Sequence, residues 1–559
     1  MKRWGSMLAA LALALAVTAC GTGATATAQY IGPKLGGTLT VALDGDIHYA
    51  DPSLVSDGES IYVANQVVEG LVGLVPGTLS TIVPVLASAL PTVSADGLTY
   101  TFKLRSGIKF HDGTDFDAQA VKFNYDRWNS YPKGDLQNAA SYFSAVFGGF
   151  GSASNLFAVD ATDASTVVFH LRHAQGNFLI SQAVSVFGIQ SPAAIGANGG
   201  STATLAKNVY ALGTNGAGKA MVGTGPFMFS EWKPGDHVTL AKNPNYWNAA
   251  AQPYLDQIVF KPYATAADEL AAMQAGKVDM VESLDPTAVA AVAKDANLVA
   301  LDRGAGCNLT QLGMNDFDTV AGQPNLLANS GVRLAISAAV NKSAYISAFY
   351  AGEALVADSW LPAGALYYKR EYLPTHNVTV AKGYLAQAGV PATGLNLDLW
   401  YPAGAPASAF TDAKGLAQAI AADLTAAGFT INLRTEPYAN YQADSAAGKM
   451  QMWLQSRSCR WASPDDYLYT FFGYVSSAPA PMFAYKNDDL NTLMTAALMD
   501  TDPAKAQLDW QKAQDMIAPD MPTVPLLGAK LPAGAHKYVK GFVGAGNRTE
   551  ILGTVWLDK

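Results

Sequence analysis

Leu395-Asn396-Leu397-Asp398-Leu399-Trp400-Tyr401, followed by the alanine-rich stretch from Ser408 to Ala427, Gly428 and Phe429-Thr430-Ile431-Asn432-Leu433-Arg434, decides the fold class. The first segment reads as a strand, the second as a helix, the glycine as its C′ residue and the last segment as a returning strand. Strand, crossover helix and second strand form a βαβ unit. Helices between parallel strands favour an open α/β sheet, whose ligands sit at the carboxyl ends of the strands.

The same style extends through the chain. Gly36-Gly37-Thr38-Leu39-Thr40-Val41-Ala42-Leu43 predicts a first strand, broken by Asp51-Pro52, and Ser60 to Leu71 has helical spacing at Ile61, Asn65, Val68 and Leu71. Thr99 to Leu104 and Thr166 to Leu171 alternate as strands, and Asp117 is a good N-cap for a helix carrying Val121, Tyr125 and Trp128. After Gly223-Thr224-Gly225-Pro226-Phe227 come a strand from His237 to Ala241, the turn Asn243-Pro244-Asn245-Tyr246-Trp247, a strand ending near Phe260 and a helix over Ala266 to Ala275. No repeat of fixed period interrupts this pattern.

The N-terminus has the three parts of a secretory signal: Lys2 and Arg3, an apolar run from Met7 to Val17, and Val17-Thr18-Ala19-Cys20. An apolar run that short does not span a bilayer, which takes about 20 residues. The small residues before Cys20 resemble a bacterial lipobox, which implies a signal peptide over residues 1–19, a lipidated Cys20 and a flexible tether over residues 20–35. An extracytoplasmic, lipid-anchored location follows, in the periplasm or on the outer face of the cell membrane.

Of the 559 residues only 14% are charged, and 51 are glycine. The length suggests three domains. A net charge of −9 provides no basic face to neutralise phosphates, so nucleic acid is not an expected partner. With Cys20 given to lipid, Cys307 and Cys459 remain; an oxidising compartment permits a disulfide, and two buried free thiols are the other reading.

Several short segments, in order, carry a family resemblance: Gly36-Gly37-Thr38-Leu39, Asp51-Pro52, Glu69-Gly70-Leu71, Pro84-x-Leu86-Ala87, Asp96-Gly97-x-Thr99-Tyr100-Thr101-Phe102-x-Leu104-Arg105, Phe110-His111-Asp112-Gly113, Gly223-Thr224-Gly225-Pro226-Phe227, Asn243-Pro244-x-Tyr246-Trp247 and Val332-Arg333-x-Ala335-Ile336. Each is weak alone, and most are turns, caps and strand starts. Together they resemble the peptide/nickel class of extracellular solute-binding proteins, family 5, of ABC importers. The resemblance implies a two-lobed, hinge-bending α/β fold of the type II periplasmic-binding-protein kind, with an additional domain. Lobe one would take residues 36–80, 221–305 and 520–559, the additional domain 81–220, and lobe two 306–519. It also implies a monomer without a cofactor that passes a peptide or other small molecule to permease subunits in the membrane, and no enzymatic activity.

In peptide-binding relatives a segment resembling Gly-Trp-x-x-Asp, followed by a Pro, places a carboxylate on the peptide amine. The corresponding stretch here is Arg457-Ser458-Cys459-Arg460-Trp461-Ala462-Ser463-Pro464-Asp465-Asp466-Tyr467, with Arg460 at the Asp position unless a short insertion brings Asp465 there. A guanidinium repels an ammonium. Arg460 or Arg457 would then grip a carboxylate, phosphate or hydroxyl-rich ligand while Trp461 and Trp453 stack on it. In the alternative, both arginines pair with Asp465 or Asp466, and Trp461 is core. Asp57, Trp400, Tyr401 and Asn315 complete the candidate ligand contacts, with an oligopeptide, an oligosaccharide or an acidic conjugate as cargo. An exported sensory or chaperone-like binding protein would share this fold.

Three further patterns lead nowhere. Gly213 to Ala220 nearly spells a phosphate loop but ends without Ser or Thr. Ser106-Gly107-Ile108-Lys109 has no Lys-Thr-Gly partner. His170-x-x-His173 lacks the Glu of a zinc motif, so no metal site is expected.

Overall fold

The computed structural model describes residues 32–202, 204–213, 218–320, 322–390, 395–406, 409–475 and 482–559. The signal, Cys20, most of the tether and the centre of the Gly213–Ala220 segment lie outside them. Three sheets organise the rest.

The first sheet is built around Thr38–Leu43, which runs parallel to Gln257–Pro262 on one side and Met280–Val281 on the other. Flanked on both edges and covered on both faces, its residues Leu39, Val41 and Leu43 are buried. His237–Lys242 and Phe227–Lys233 extend the sheet antiparallel on one side, Ala533–His536 and Leu298–Leu301 on the other. Seven strands from three distant parts of the chain thus form one mixed sheet.

The βαβ unit is present in the second, six-stranded sheet. Asn396–Ala403 and Thr430–Pro437 are parallel neighbours, joined by the helix Ala413–Ala427. Asp412 caps that helix by accepting from the Gly415 N–H at 2.8 Å, and Gly428 ends it at φ 109°. The expected start at Ser408 lies outside the described residues. Met452–Arg457, Leu309–Met314, Thr523–Ala529 and Ala354–Val356 complete the sheet. Because Thr523–Ala529 pairs with Leu309–Met314, the chain returns to the first sheet after Ala529, ten residues later than expected from the resemblance. A third sheet of four strands, including Thr99–Lys103 and Thr166–Leu171, packs against the helix Ala118–Asn129 capped by Asp117.

The helix expected over Ser60 to Leu71 is only Gly58–Ala64 long. Its continuation serves another contact: the Gly225 N–H donates to the Val67 carbonyl at 2.9 Å, and a Cβ on Gly225 would stand 2.7 Å from that oxygen. The short motifs lock one another here. The Gly223 N–H donates to His111 Nδ1 at 3.3 Å, and His111 Nε2 reaches the Gly225 carbonyl at 3.0 Å, an arrangement that requires the neutral imidazole with its proton on Nε2. Burial drives the His111 pKa down to about 4, which keeps the ring neutral. Glu69 accepts from Trp247 Nε1, Thr224 Oγ1 and Tyr246 Oη at 2.7, 2.7 and 2.8 Å, and burial raises its pKa. Segments that read individually as turns are therefore parts of one tertiary knot.

The triplet Gly304-Ala305-Gly306 crosses from the first sheet to the second, and a second triplet, Gly544-Ala545-Gly546, packs against it. A Cβ on Gly306 would collide with the Ala529 carbonyl, and one on Gly546 with the Ala305 carbonyl. The Cys307 N–H donates to the Gly546 carbonyl at 3.1 Å. Close backbone approach, with no room for a side chain, is what this crossing demands. Gly546→Ala should lower stability by about 3 kcal/mol through overpacking, read as a lower urea midpoint. Gly196→Ala, in an exposed helix where the added carbon meets nothing, should be neutral or slightly stabilising.

Candidate functional site

A cleft of about 460 Å³ opens where the crossing meets the helix Gly58–Ala64. Asp44, Asp57, Glu59, Asn547 and Arg548 line it from the side of the first sheet, Asn308 and residues 458–462 from the second, and Tyr142, Ile180 and Val184 from the third domain. Asp44 follows the carboxyl end of the first strand, the position the α/β rule assigns to ligands.

Cys307 and Cys459 form a disulfide with Cα atoms 5.7 Å apart. Leu309 pairs with Arg457 as the last rung of an antiparallel ladder, and the two cysteines lie two residues further along each strand. The bond therefore continues the register and ties the crossing to the loop that carries Arg460.

Asp466, 2% exposed, is the hub of that loop. Its carboxylate accepts from Arg457 Nη2 at 2.5 Å and from the Arg460 N–H at 2.9 Å, and the Arg460 guanidinium stands 3.6 Å away. One carboxylate thus faces two guanidinium groups. Arg457 is held over the rings of Tyr467 and Phe471, while the Arg460 side chain is 43% exposed. The surplus positive charge lies on Arg460, on the cleft wall.

Asp465 turns the other way. It accepts from Asn177 Nδ2 at 2.6 Å, from Trp461 Nε1 at 2.9 Å and from the Ser463 hydroxyl, and it lines a neighbouring cavity of about 570 Å³ behind Trp461. Burial raises its pKa against those three donors, and the Asp466 charge adds to the rise. Arg460 lines both cavities, whereas Asp465 lines only the one behind Trp461. Trp461 is 4% exposed, its ring edge-on to Tyr142, and separates the two cavities.

Other candidates fall elsewhere. Trp453 is core: it is 1% exposed, stacks on Phe483 and fills the space that Gly313 leaves by having no side chain. Asn315 stands at the far end of the strand Leu309–Met314, about 20 Å from the end at the cleft. It is fully buried, donating to the Gly448 carbonyl and accepting from the Phe317 N–H. Trp400 and Tyr401 are half-buried against the second sheet's core and line neither cavity. Asp57 lines the cleft while capping Gly58–Ala64 through the Ser60 N–H at 2.8 Å and pairing with His48 at 2.9 Å.

The first-sheet wall holds charges that the sequence reading passed over. Arg303, fully buried, bonds Glu282 at 2.9 Å and Glu550 at 2.5 Å; Arg548 bonds Glu282 at 2.7 and 2.5 Å and reaches Glu59 at 3.5 Å. Burial, a hydrogen bond with Asp44 and the Asp44 charge push Glu59 up to about 8, against the pull of Arg548. Glu269, 2% exposed, is likewise raised to about 8, by burial and then by Asp44 and Glu282. Only the position of Asp44 after the first strand was readable beforehand; Arg548 and Glu550 come from the other end of the chain. Among the described residues no group of three donors is arranged to hold a metal ion, and no helix is long and apolar enough to cross a membrane.

The description "Bacterial extracellular solute-binding proteins, family 5 Middle" belongs to a family model that matches residues 81–478. The chain belongs to this family. Family 5 proteins bind solutes for transport, so this one is a binding protein and not an enzyme. The chain is similar to the glutathione-binding protein GsiB of Escherichia coli O1:K1 / APEC, at 29% identity over 519 residues, 90% of this chain and 91% of the relative. Among solved structures it resembles the periplasmic binding protein DppA of Helicobacter pylori in complex with peptide STSA, at 26% identity, TM-score 0.70 and coverage of 94% and 99% of the two chains. HbpA2 of Haemophilus parasuis shares the fold at TM-score 0.79 and 24% identity, with 94% and 100% coverage.

The raised carboxyls of this family 5 protein make its stability depend on pH. A carboxyl whose pKa rises from 4.5 to about 8 on folding stabilises fully below pH 4.5, and that contribution is lost as pH climbs through 8. Thermal unfolding should therefore show a lower midpoint at pH 8.5 than at pH 5. Glu269→Gln, which cannot ionise, should match the parent at pH 5 and exceed it by about 1–3 °C at pH 8.5.

Proposed function

We propose that this protein is the ligand-capturing subunit of an ABC importer, held outside the cytoplasm by a lipid on Cys20, and that its cargo is a short peptide or peptide-like solute with an anionic group. The observation that carries the cargo reading is Arg460: a guanidinium on the cleft wall whose nearest carboxylate is already claimed by Arg457. A ligand carboxylate is the natural partner for such a group, because planar, two-pronged hydrogen bonding suits it. The names of the relatives, a glutathione-binding protein and a binding protein solved with a peptide, support the peptide class.

The two-lobed architecture supports capture by closure. The lobes are joined at the Gly-Ala-Gly crossing and again between Ala529 and Ala533. Bending there would bring the Arg460 loop toward the helix Gly58–Ala64, and a ligand touching both walls would favour the closed population by its extra contacts. Delivery to permease subunits, by a monomer, follows from the family role. The additional domain, roughly residues 81–220, would supply Tyr142 and Val184 to the rim.

Native mass spectrometry of the purified protein should reveal a retained ligand carrying a carboxylate or another anionic group. Arg460→Asp should abolish its retention, lowering affinity by at least about 100-fold in calorimetry, since an unpaired buried charge costs about 2–5 kcal/mol. Unchanged affinity in that variant would refute the role of Arg460, and a retained neutral sugar would refute the peptide class.

A further inference from the structure

We propose that Asp44 and Glu59 receive the cationic end of the ligand, so that the captured solute is dipolar and spans the cleft with its anion on Arg460. This inference rests on the cleft being the capture site. It follows from a charge balance of the two walls. On the second-sheet wall, Asp466 neutralises one of two guanidinium groups, leaving one positive charge on Arg460. On the first-sheet wall, Glu282 and Glu550 neutralise Arg303 and Arg548. Arg548 also reaches Glu59 at 3.5 Å, so with Asp44 this wall sets four carboxyls against two guanidinium groups and keeps a surplus of negative charge.

Both walls border the same cavity. Opposite unbalanced charges facing each other across a closing cleft select a ligand that carries both signs, because each is desolvated on closure and needs its own partner. A second observation points the same way. Glu269, 2% exposed and close enough to Asp44 for that charge to raise its pKa, has an Oε1 with no hydrogen-bond partner. The carboxyls behind this wall are thus short of donors, which an ammonium group supplies. Asp465, the carboxylate nearest to Arg460 in sequence, has its donors already and lines the other cavity.

The test uses trialanine and glutathione as probes, each also as its N-acetyl and C-amide form, with binding followed by calorimetry and by tryptophan fluorescence, for which Trp461 in the wall is a reporter. For the parent protein, N-acetylation should weaken binding at least tenfold, and so should amidation. In Asp44→Asn and in Glu59→Gln the free and acetylated forms should bind alike, while the preference for a free carboxylate persists. Asp465→Asn should keep the preference for the free amine. Equal binding of acetylated and free ligands by the parent, or loss of amine preference in Asp465→Asn but not in Asp44→Asn, would overturn the inference while leaving the capture site intact. Failure of the parent to bind any of the six compounds would overturn the peptide reading and this inference with it. Thermal midpoints of each variant, expected within a few degrees of the parent, separate loss of binding from loss of folding.

Discussion

Backbone-to-backbone contact at the Gly304–Gly306 and Gly544–Gly546 crossing is the constraint on which the rest of the structure depends. Neither Gly306 nor Gly546 has room for a single added carbon, because the carbonyls of Ala529 and Ala305 occupy that space. Through this contact the C-terminal segment packs on the crossing, and Arg303, next to the first triplet, is enclosed by Glu282 and Glu550. Burying an ion cluster of this kind costs desolvation, and mutual pairing of the two guanidinium groups with Glu282 and Glu550 offsets it. The result is a joint whose position is specified by charge geometry as well as by packing. The disulfide then extends the constraint to the Arg460 loop, one ladder step beyond the strands it joins.

That joint explains why the cleft has opposite charges on its walls. The C-terminal segment brings Arg548 into the first wall, where Glu282 holds it closely and Glu59 stands at 3.5 Å, so that carboxyls outnumber guanidinium groups there. The turn after Pro464 brings Asp466 back to Arg457 and leaves Arg460 without a full partner. Folding alone satisfies neither wall. Charges left over in this way are costly in a closed, dry cleft, and on the proposed capture role that cost would select ligands that complete the pairing.

The motifs that identify the family have a different role. His111, Glu69, Gly225 and the Tyr246-Trp247 pair bond one another beside the first sheet. They hold the frame on which the cleft residues sit, and do not line the cleft themselves. A chain can therefore keep all of them while the residues that line the cleft change.

The sequence by itself determined the α/β class, the βαβ unit around Ala413–Ala427 and the caps at Asp117 and Gly428. These depend on neighbours within about one turn or one strand, where spacing and cap chemistry act directly. Tertiary structure alone decided the rest. It ended the Gly58–Ala64 helix early because the Val67 backbone receives Gly225, and it put Trp453 inside because Gly313 leaves a hollow beneath it. It sent Asn315 to the far end of its strand, placed Arg460 on both cavities beside Trp461 but Asp465 on only one of them, and brought Glu59 to a charge cluster closed by Arg548 and Glu550. The physical reason is common to all: each outcome rests on a contact between residues tens to hundreds of positions apart, and linear spacing has no term for register or for which charge takes which partner.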